Sequence, residues 1–572
     1  MKKILSATCA MMLASAGMMA NAQQEQTQLP NVGFDVEGWK EKCGATHSFS
    51  ALGKVEDRER PGVEPGGWNG SSVNQDALFT SVKKELVVRG YKDNANKDSY
   101  VSMFNTEVGA FNVYSQAPGY ITLGTPWVAA DMSKDNCDGG TYGGIRFTSK
   151  PDAIVGDFYR VDNNNVDGKN EASHVIVYLW KGTYTSKIGK ANNPSEDKDN
   201  VDRAILRNGD ASSKGVLIAS CDYTFNSTKN AAGEKGWQTL EIPLEYVSDE
   251  NPEMMNVIIS AGEYWDRNAL LEGTTLNVDN IHYVYYSRLA SISLNKEAIT
   301  LEEGKYDYTV DKVLDFSEDK VVPTVMGKNA KAEVSIDFKS ALVTVEVSNV
   351  GADSDGKSSH TYTFQYQKPV VEEYTGYLNV EMDGSLIEEN ATSTIEILDH
   401  QNDYCTFLLP NLTIGGTLPL GDIRIFNVVI TSVEGGNSYA GTVDDMILHN
   451  DMLGDIHAKV VLNGTIIGSD VKMDVDVIWY QDYPANTIEI PINVSFTSAQ
   501  LSGVESVAGD GVKVYAAAGC VVVEGAEGVA QVYTADGKQV AAEVVNGKAE
   551  IALANGLYIV RVGNKVQKVV VK

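Results

Sequence analysis

Basic residues are scarce in this 572-residue chain. Its 47 lysines and arginines stand against 77 aspartates and glutamates, which gives a formal net charge of −30. Binding to nucleic acid or to an anionic lipid surface depends on clustered cationic side chains. The charge balance therefore argues against both kinds of partner, and it is compatible with a neutral ligand such as an uncharged sugar.

Long apolar runs and cysteines are scarce as well. After residue 22 no stretch is long and apolar enough to cross a bilayer, so we expect no transmembrane anchor. Five cysteines remain in that part of the chain: Cys43, Cys137, Cys221, Cys405 and Cys520. Because their number is odd and their spacing irregular, we expect mostly free thiols rather than a disulfide framework or a zinc site.

Recognisable catalytic motifs are missing too. Hydrolysis of a glycosidic bond usually needs two carboxylates that face each other across the sugar, and none of the many acidic residues lies in such a setting. The seven histidines are scattered, and neither a nucleophile–His–acid arrangement nor an H-E-x-x-H motif occurs. We therefore predict no catalytic residue, and a carbohydrate-active, glycoside hydrolase-like enzyme remains an alternative.

The first 22 residues have the composition of a secretory signal peptide. Lys2 and Lys3 form a basic start, an apolar segment of small residues follows, and Ala20-Asn21-Ala22 fits an A-x-A cleavage site before Gln23. We therefore predict an exported protein.

The remaining sequence is typical of β-structure throughout. Runs rich in Val, Ile, Thr and Tyr alternate with polar residues and are punctuated by Gly, Asn and Asp, whereas helical periodicity is nearly absent. So long a chain exceeds what one core organises, and we predict an all-β, multi-domain protein. The predicted domains are a jelly-roll β-sandwich at 29–287, an Ig-like module at 288–368, an eight-stranded barrel at 370–498 and a small β-sandwich at 503–572.

Three short stretches near the C-terminus carry a resemblance. They are "VYTADGKQV" (532–540), "LANGLYIVRV" (553–562) and "KVVVK" (568–572). This segment resembles the type A C-terminal sorting domain of the type IX secretion pathway of Gram-negative bacteria. The resemblance implies transport across the outer membrane by that secretion machinery, to the cell surface or the medium. Without that machinery the protein would stay in the periplasm.

Two further segments resemble domains of secreted proteins from the same bacteria. Residues 29–287 look like their carbohydrate-metabolism domain, on the stretches 119–161, "GWQTLEIPLEY" (236–246) and "GTTLNVDNIHYVYY" (273–286). Residues 370–498 are similar to calycin-like barrels, on the number of strands and the start "YTGYLNVEM". The first resemblance implies a role in carbohydrate metabolism.

Sugar binding depends on flat aromatic faces that stack on pyranose rings, with a few polar groups fixing the orientation. Trp68 in "PGGWNGSS" and Tyr264-Trp265 in "GEYWDRN" lie among loop-forming residues, so we predict them as ligand-binding residues. In the barrel, Trp479 and Tyr480 point to opposite faces of one strand, and Trp479 is a further candidate. The alternative is that these rings fold onto the sandwich or fill the barrel.

No cofactor is predicted apart from a structural calcium ion. Jelly-roll sugar-binding modules often hold calcium through an acid in the last strand, and resemblance to them implies Asp279 in "NVDNI" as its ligand. Otherwise Asp279 caps or pairs locally.

The function expected from these observations is that of a non-catalytic, glycan-binding accessory protein at or beyond the outer membrane, with a polysaccharide or other glycan as partner. A structural or adhesive surface protein and a lipocalin-like carrier of small ligands remain alternatives, beside the enzyme. Aromatic loops gathered on one face of the sandwich would favour sugar binding, and an open apolar barrel would favour the carrier.

Overall fold

The computed structural model describes most of the chain. The described residues are 26–77, 79–93, 98–162, 171–185, 198–207, 214–400, 402–415, 418–450, 454–481, 483–484, 487–498, 512–517, 519–534, 538–562 and 565–571. The signal peptide predicted at 1–22 lies outside them. So do parts of the C-terminal stretches that carry the sorting-domain resemblance.

The structure is nearly all β, which confirms the predicted fold class. Within the described ranges one α-helix occurs, Asp202–Leu206. Four short 3₁₀ turns accompany it, at Val36–Gly38, Lys134–Asn136, Arg267–Ala269 and Glu318–Lys320.

The chain divides into two compact units. The first consists of the described part of Met1–Tyr308 together with Asp319–Ser335 and Thr344–Thr363. The second consists of Thr309–Glu318, Ile336–Val343 and the described part of Phe364–Lys572.

Two large sheets form the centre of the first unit. The seven-stranded sheet contains Glu245–Tyr246, Val216–Phe225, Ser173–Lys181, Met254–Ser260, Tyr120–Thr122 and Asn69–Gly70 in that order, with Ile145–Arg146 paired beside Met254–Ser260. The five-stranded sheet contains Gln238–Pro243, Ala153–Val161, Thr275–Val284, Asp98–Phe104 and Val87–Asp93.

The strand Ser173–Lys181 of the seven-stranded sheet is buried on both faces. The sheet therefore forms a middle layer, with the five-stranded sheet on one side and an outer layer on the other. Val175, Val177 and Leu179 pack into the core shared with the five-stranded sheet. Successive strand side chains point to opposite faces, so Tyr178 and Trp180 pack into a second core on the other side. A strand buried on both faces reads as a nearly continuous apolar run, as "VIVYLW" does.

A four-stranded sheet and three strand pairs complete the outer layer and edges of this part of the unit. The sheet contains Asp138–Tyr142, Thr125–Ala129, Ala45–Phe49 and Val55–Glu59. The pairs are Trp39–Lys40 with Glu64–Pro65, Val73–Ala77 with Thr80–Lys84, and Thr106–Ala110 with Val113–Ala117.

Seven strands follow between residues 289 and 367. Glu297–Ile299, Leu289–Leu294 and Val321–Val325 form a three-stranded sheet. The other four strands are Asp307–Val313, Lys331–Asp337, Leu342–Ser348 and Ser359–Gln367. The Ig-like module predicted at 288–368 remains a prediction.

The next eight strands close into an antiparallel barrel, as predicted. They are Val370–Met382, Ser385–Asp399, Tyr404–Ile414, Leu418–Val433, Gly436–Asn450, Gly454–Ile467, Asp470–Gln481 and Ile488–Thr497. In "VKMDVDV" the side chains of Val471, Met473 and Val475 are buried, and the lysine and aspartates between them are exposed. Apolar side chains from all the strands, including Phe407 and Phe496, pack together in the interior.

The last described strands form a five-stranded sheet. It contains Lys513–Ala517, Cys520–Thr534, Gly556–Val562 and Lys565–Val571, with Gln539–Ala552 paired beside Cys520–Thr534. Tyr558, Val560 and Val562 bury one face, and Arg561 and Lys568 are exposed. Exposed cations of this kind protect strands against edge-to-edge association.

The state of the cysteines and the presence of membrane-spanning helices can be examined in the described residues. The five cysteines after residue 22 are all free thiols. Within the part of the chain that the structure covers, no helix is long and apolar enough to span a membrane.

Candidate functional site

A cleft of about 280 Å³ opens in the first unit. Residues from the four-stranded sheet, the hairpin Thr106–Ala110/Val113–Ala117 and the loop after Ser260 line it. Four aromatic residues contribute to its walls: Tyr120, Trp127, Tyr264 and Trp265. Charged residues also line it, namely Asp138, Arg203, Glu263, Asp266 and Arg267. The cleft thus brings together Tyr264 and Trp265, which the sequence predicts as ligand-binding residues.

Trp265 is half-buried at this cleft and firmly oriented. Its Nε1 donates a hydrogen bond to Oδ2 of Asp222 at 2.7 Å. The guanidinium carbon of Arg207 lies 4.4 Å from the centre of the indole ring, within the range of a cation–π contact. Arg207 also forms an ion pair with Asp222 at 3.1 Å. The position of the indole is therefore fixed before any ligand arrives.

Tyr264 lies deeper than Trp265 and is almost completely buried. Its hydroxyl donates to Oδ2 of Asp202 at 2.6 Å, and its ring meets that of Trp265 edge to face, with 4.9 Å between centroids. Asp202 is inaccessible to solvent. Burial raises the pKa of Asp202, although its neighbour Arg203 and the Tyr264 hydroxyl favour the charged carboxylate. Tyr264 thus belongs mainly to the floor of the cleft.

Trp127 contributes to the cleft wall, although its indole is almost completely buried. The residue is 2% exposed, and its Nε1 has no hydrogen-bond partner among the residues that the structure describes. A buried donor without a partner carries an energetic cost. Beside it, Arg203 donates to Oδ2 of Asp138 at 2.6 Å and lies 5.6 Å from the Trp127 ring.

A buried histidine connects two carboxylates behind Trp265. Nδ1 of His174 lies 2.8 Å from Oδ1 of Asp222, and Nε2 lies 3.0 Å from Oε1 of Glu263 in an ion-pair contact without hydrogen-bond geometry. Burial works to lower the pKa of His174, but the two carboxylates outweigh it, so the pKa is raised. Burial works to raise the pKa of Asp222, but hydrogen bonds from His174 and Trp265 keep it below its ordinary value.

The three carboxylates that line the cleft all make contacts within the protein. Asp138 pairs with Arg203, and Glu263 pairs with His174. Asp266 accepts a hydrogen bond from the backbone N–H of Asn268 at 2.9 Å at the start of the 3₁₀ turn Arg267–Ala269. A glycosidase needs one carboxyl to give a proton and a second to act as base or nucleophile. Asp138, Glu263 and Asp266 are thus each held in a local contact.

Trp68 lies away from this cleft. The structure corrects the expectation that its ring is available to a ligand. The residue is completely buried in the core of the sandwich. Its Nε1 donates to the carbonyl of Pro30 at 2.8 Å, and its ring packs edge-on against Phe34 with centroids 6.0 Å apart. The surrounding Gly, Pro and Asn correctly indicate a turn, but the turn folds the indole inwards.

Trp479 faces the interior of the barrel and is half-buried. It packs against the apolar core that the eight strands share. Tyr480, on the opposite face of the same strand, lies near Tyr483, with 6.4 Å between ring centroids. Trp479 is therefore part of the packing of the barrel interior.

The residues around Asp279 do not fit a calcium site. Oδ2 of this buried aspartate lies 2.5 Å from Nζ of Lys92, so an ammonium group occupies the position that a cation would need. Burial raises the pKa of Asp279, and Lys92 opposes that rise. Calcium takes six to eight oxygen ligands. In the described ranges, no group of three or more His, Cys, Asp or Glu could hold a metal ion.

Sequence reasoning missed most of the polar residues of the cleft. The sequence around Trp127 indicates no more than a strand, and the sequence gives no sign that Asp138, Arg203 or Asp222 contributes to a site. These residues come from separate strands and from the helix Asp202–Leu206, so their proximity depends on sheet order. No local pattern would have revealed them. The adjacent pair Tyr264-Trp265 was found because both rings follow one another in a single loop.

Comparison with known proteins adds one domain assignment. Residues 370–499 match the family model of the calycin-like beta-barrel domain, which agrees with the eight-stranded barrel. No curated protein matches the chain. A solved structure from Bacteroides thetaiotaomicron, described as a "putative glycoside hydrolase", is similar at 12% identity and a TM-score of 0.24, over 44% of this chain and 73% of that one. A likeness at this level does not assign a fold or an activity.

Proposed function

We propose that the protein binds a neutral glycan non-catalytically, in the cleft formed by Trp127, Tyr264 and Trp265. The observation that carries this proposal is the pre-oriented indole of Trp265 at a cleft with polar walls. Stacking surfaces beside a few fixed hydrogen-bonding groups are what a sugar ring requires.

The alternatives from other classes have less support. An enzyme would need two carboxylates free to act on a glycosidic bond, whereas Asp138, Glu263 and Asp266 are each engaged by protein groups. A lipocalin-like carrier would need an open barrel, whereas large apolar side chains such as Phe407 and Phe496 occupy the interior. A purely structural or adhesive role does not account for a cleft with an oriented indole.

A glycan array tests the proposal directly. We expect the chain from Gln23 onwards to bind at least one neutral glycan, and Trp265→Ala to lose that binding. Trp237→Ala is the matched control, because this half-buried tryptophan belongs to a different aromatic group, with Tyr100 and Tyr159. Absence of any binding by the parent chain would contradict the function. Equal binding by parent and Trp265→Ala would contradict the site.

We also propose that the protein is exported through its N-terminal signal peptide and carried onwards by its sorting-like C-terminal segment. The basic, apolar and A-x-A regions of residues 1–22 support the first step. The C-terminal resemblance supports the second. N-terminal sequencing of the protein recovered outside the cytoplasm should begin at Gln23, and recovery of Met1 would contradict export by cleavage.

A further inference from the structure

A second cavity of about 160 Å³ lies beside the cleft of Trp265. Aliphatic side chains dominate its walls, and we call it the apolar annex. Its apolar lining residues include Val82, Val108, Phe111, Val113, Val128 and Met132. An apolar cavity of this kind offers little to a free sugar, which presents hydroxyl groups on most of its surface.

The annex and the cleft share part of their walls. Val73, Val108, Ser115, Val128 and Cys137 line both cavities. The strand Thr125–Ala129 and the hairpin Thr106–Ala110/Val113–Ala117 therefore border both the cleft and the annex. A single ligand with a polar part and an apolar part can contact both.

The hairpin tip at the annex has an unusual sequence for its backbone. Phe111 has φ = 51° and Asn112 has φ = 65°, so both central residues occupy the left-handed region. Two-residue turns of this type favour Asn-Gly or Asp-Gly, and a bulky residue at positive φ is an outlier that carries strain. Phe111 is nevertheless 58% exposed, so burial in the protein does not compensate this cost. Strain of this kind is often retained at binding sites.

Methionine contributes a second exposed apolar group to the same cavity. Met132 is 63% exposed and lines the annex. Methionine side chains adapt to ligands of irregular shape. Phe111 and Met132 together leave apolar area in water that a bound chain would cover, and covering such area is favourable.

We propose that the annex receives the aliphatic chain of a glycolipid whose sugar occupies the cleft. This inference rests on the proposed function, because it assigns the sugar to the site of Trp265. The shared wall residues set the order of the two parts, with the sugar next to the aromatic residues and the chain directed along the hairpin towards Phe111. Burial of the chain supplies affinity, and the cleft supplies selectivity for the headgroup.

Alkyl glycosides of increasing chain length test this inference. The chain from Gln23 onwards is titrated with methyl, hexyl, octyl and decyl glucosides and maltosides, below their micellar concentrations, by isothermal titration calorimetry. Each methylene that enters an apolar site contributes about a fourfold gain in affinity. We therefore expect affinity to rise steeply with chain length and to level off once the annex is full.

Two variants separate the annex from the sugar cleft. Phe111→Ser removes the exposed ring, and it should reduce the affinity for octyl and decyl glycosides about tenfold or more while leaving methyl glycosides unchanged. Phe79→Ser is the matched control, because Phe79 is 92% exposed on another hairpin and does not line the annex. Trp265→Ala should weaken all members of the series by a similar factor.

The outcomes distinguish this inference from the proposed function. Affinity that does not depend on chain length with either headgroup would overturn the inference, whether or not the array finds a glycan. The same holds if Phe111→Ser and Phe79→Ser behave alike. Chain-length dependence without any effect of Trp265→Ala would keep the annex but contradict the position of the sugar.

Discussion

Trp265 and Asp222 are joined by a hydrogen bond of 2.7 Å from the indole Nε1 to the carboxylate Oδ2. Asp222 lies on the strand Val216–Phe225 of the seven-stranded sheet, whereas Trp265 lies in the loop after Met254–Ser260. The rigid sheet thereby orients a loop aromatic. Binding sites gain affinity when the contacting side chains are fixed in advance.

Loss of this orienting carboxylate should weaken ligand binding without removing any contact surface. For Asp222→Ala we expect about a tenfold loss of glycan affinity, the equivalent of one charge-assisted hydrogen bond. Asp222→Asn retains an acceptor for Nε1 and should lose less. Glu245→Ala, an exposed acid on the neighbouring strand, is the control, and equal affinities for all four proteins would contradict a positioning role.

The pKa of His174 makes the stability of the first unit dependent on pH. Its pKa is raised above the ordinary value near 6.5, because Asp222 and Glu263 outweigh the effect of burial. The stability that protonated His174 contributes is therefore complete below about pH 6.5 and is lost as pH rises through the folded-state pKa. Thermal unfolding of the parent and of His174→Asn should differ most at low pH, and their difference should shrink towards pH 9. A difference that grows with pH would refute this assignment.

The hydroxyl of Tyr264 should matter for stability more than for ligand contact. Tyr264→Phe removes the donor at 2.6 Å from the buried carboxylate of Asp202. Leaving a buried acceptor with one partner fewer costs about 1–3 kcal/mol. We expect the free energy of unfolding to fall by that amount in urea titrations, with little change for Tyr223→Phe, whose ring is 40% exposed. Unchanged stability of Tyr264→Phe would show that Asp202 does not depend on this bond.

The packed barrel interior should respond to truncation as a protein core does. Phe496 is 2% exposed, and Phe496→Ala should cost about 3–5 kcal/mol in the unfolding transition of the barrel. Asn493→Ala on the outer face should cost much less. A small effect of Phe496→Ala, together with binding of an apolar dye by the parent barrel, would instead support a ligand cavity and the carrier function.

Periodic local patterns predicted the barrel well, because alternation such as that of "VKMDVDV" is decided within one strand. The cleft was predicted only in part. Tyr264 and Trp265 are adjacent in sequence, whereas the partners that fix them, Asp202 and Asp222, are brought close by the helix and by strand pairing. The inward turn of Trp68 depends on Pro30 and Phe34, which no pattern around the tryptophan reveals. Local sequence therefore indicates which residues lie in a loop, and tertiary packing decides which of them face solvent.

Fluorine NMR of the chain labelled with 5-fluorotryptophan tests the central claim most directly. The seven tryptophans give seven resonances, which single Trp→Phe substitutions assign. On addition of a mixed library of neutral oligosaccharides, the resonances of Trp265 and Trp127 should shift, and those of Trp180 and Trp479 should stay in place. If no resonance moves, or if only that of Trp479 does, the cleft is not the glycan site.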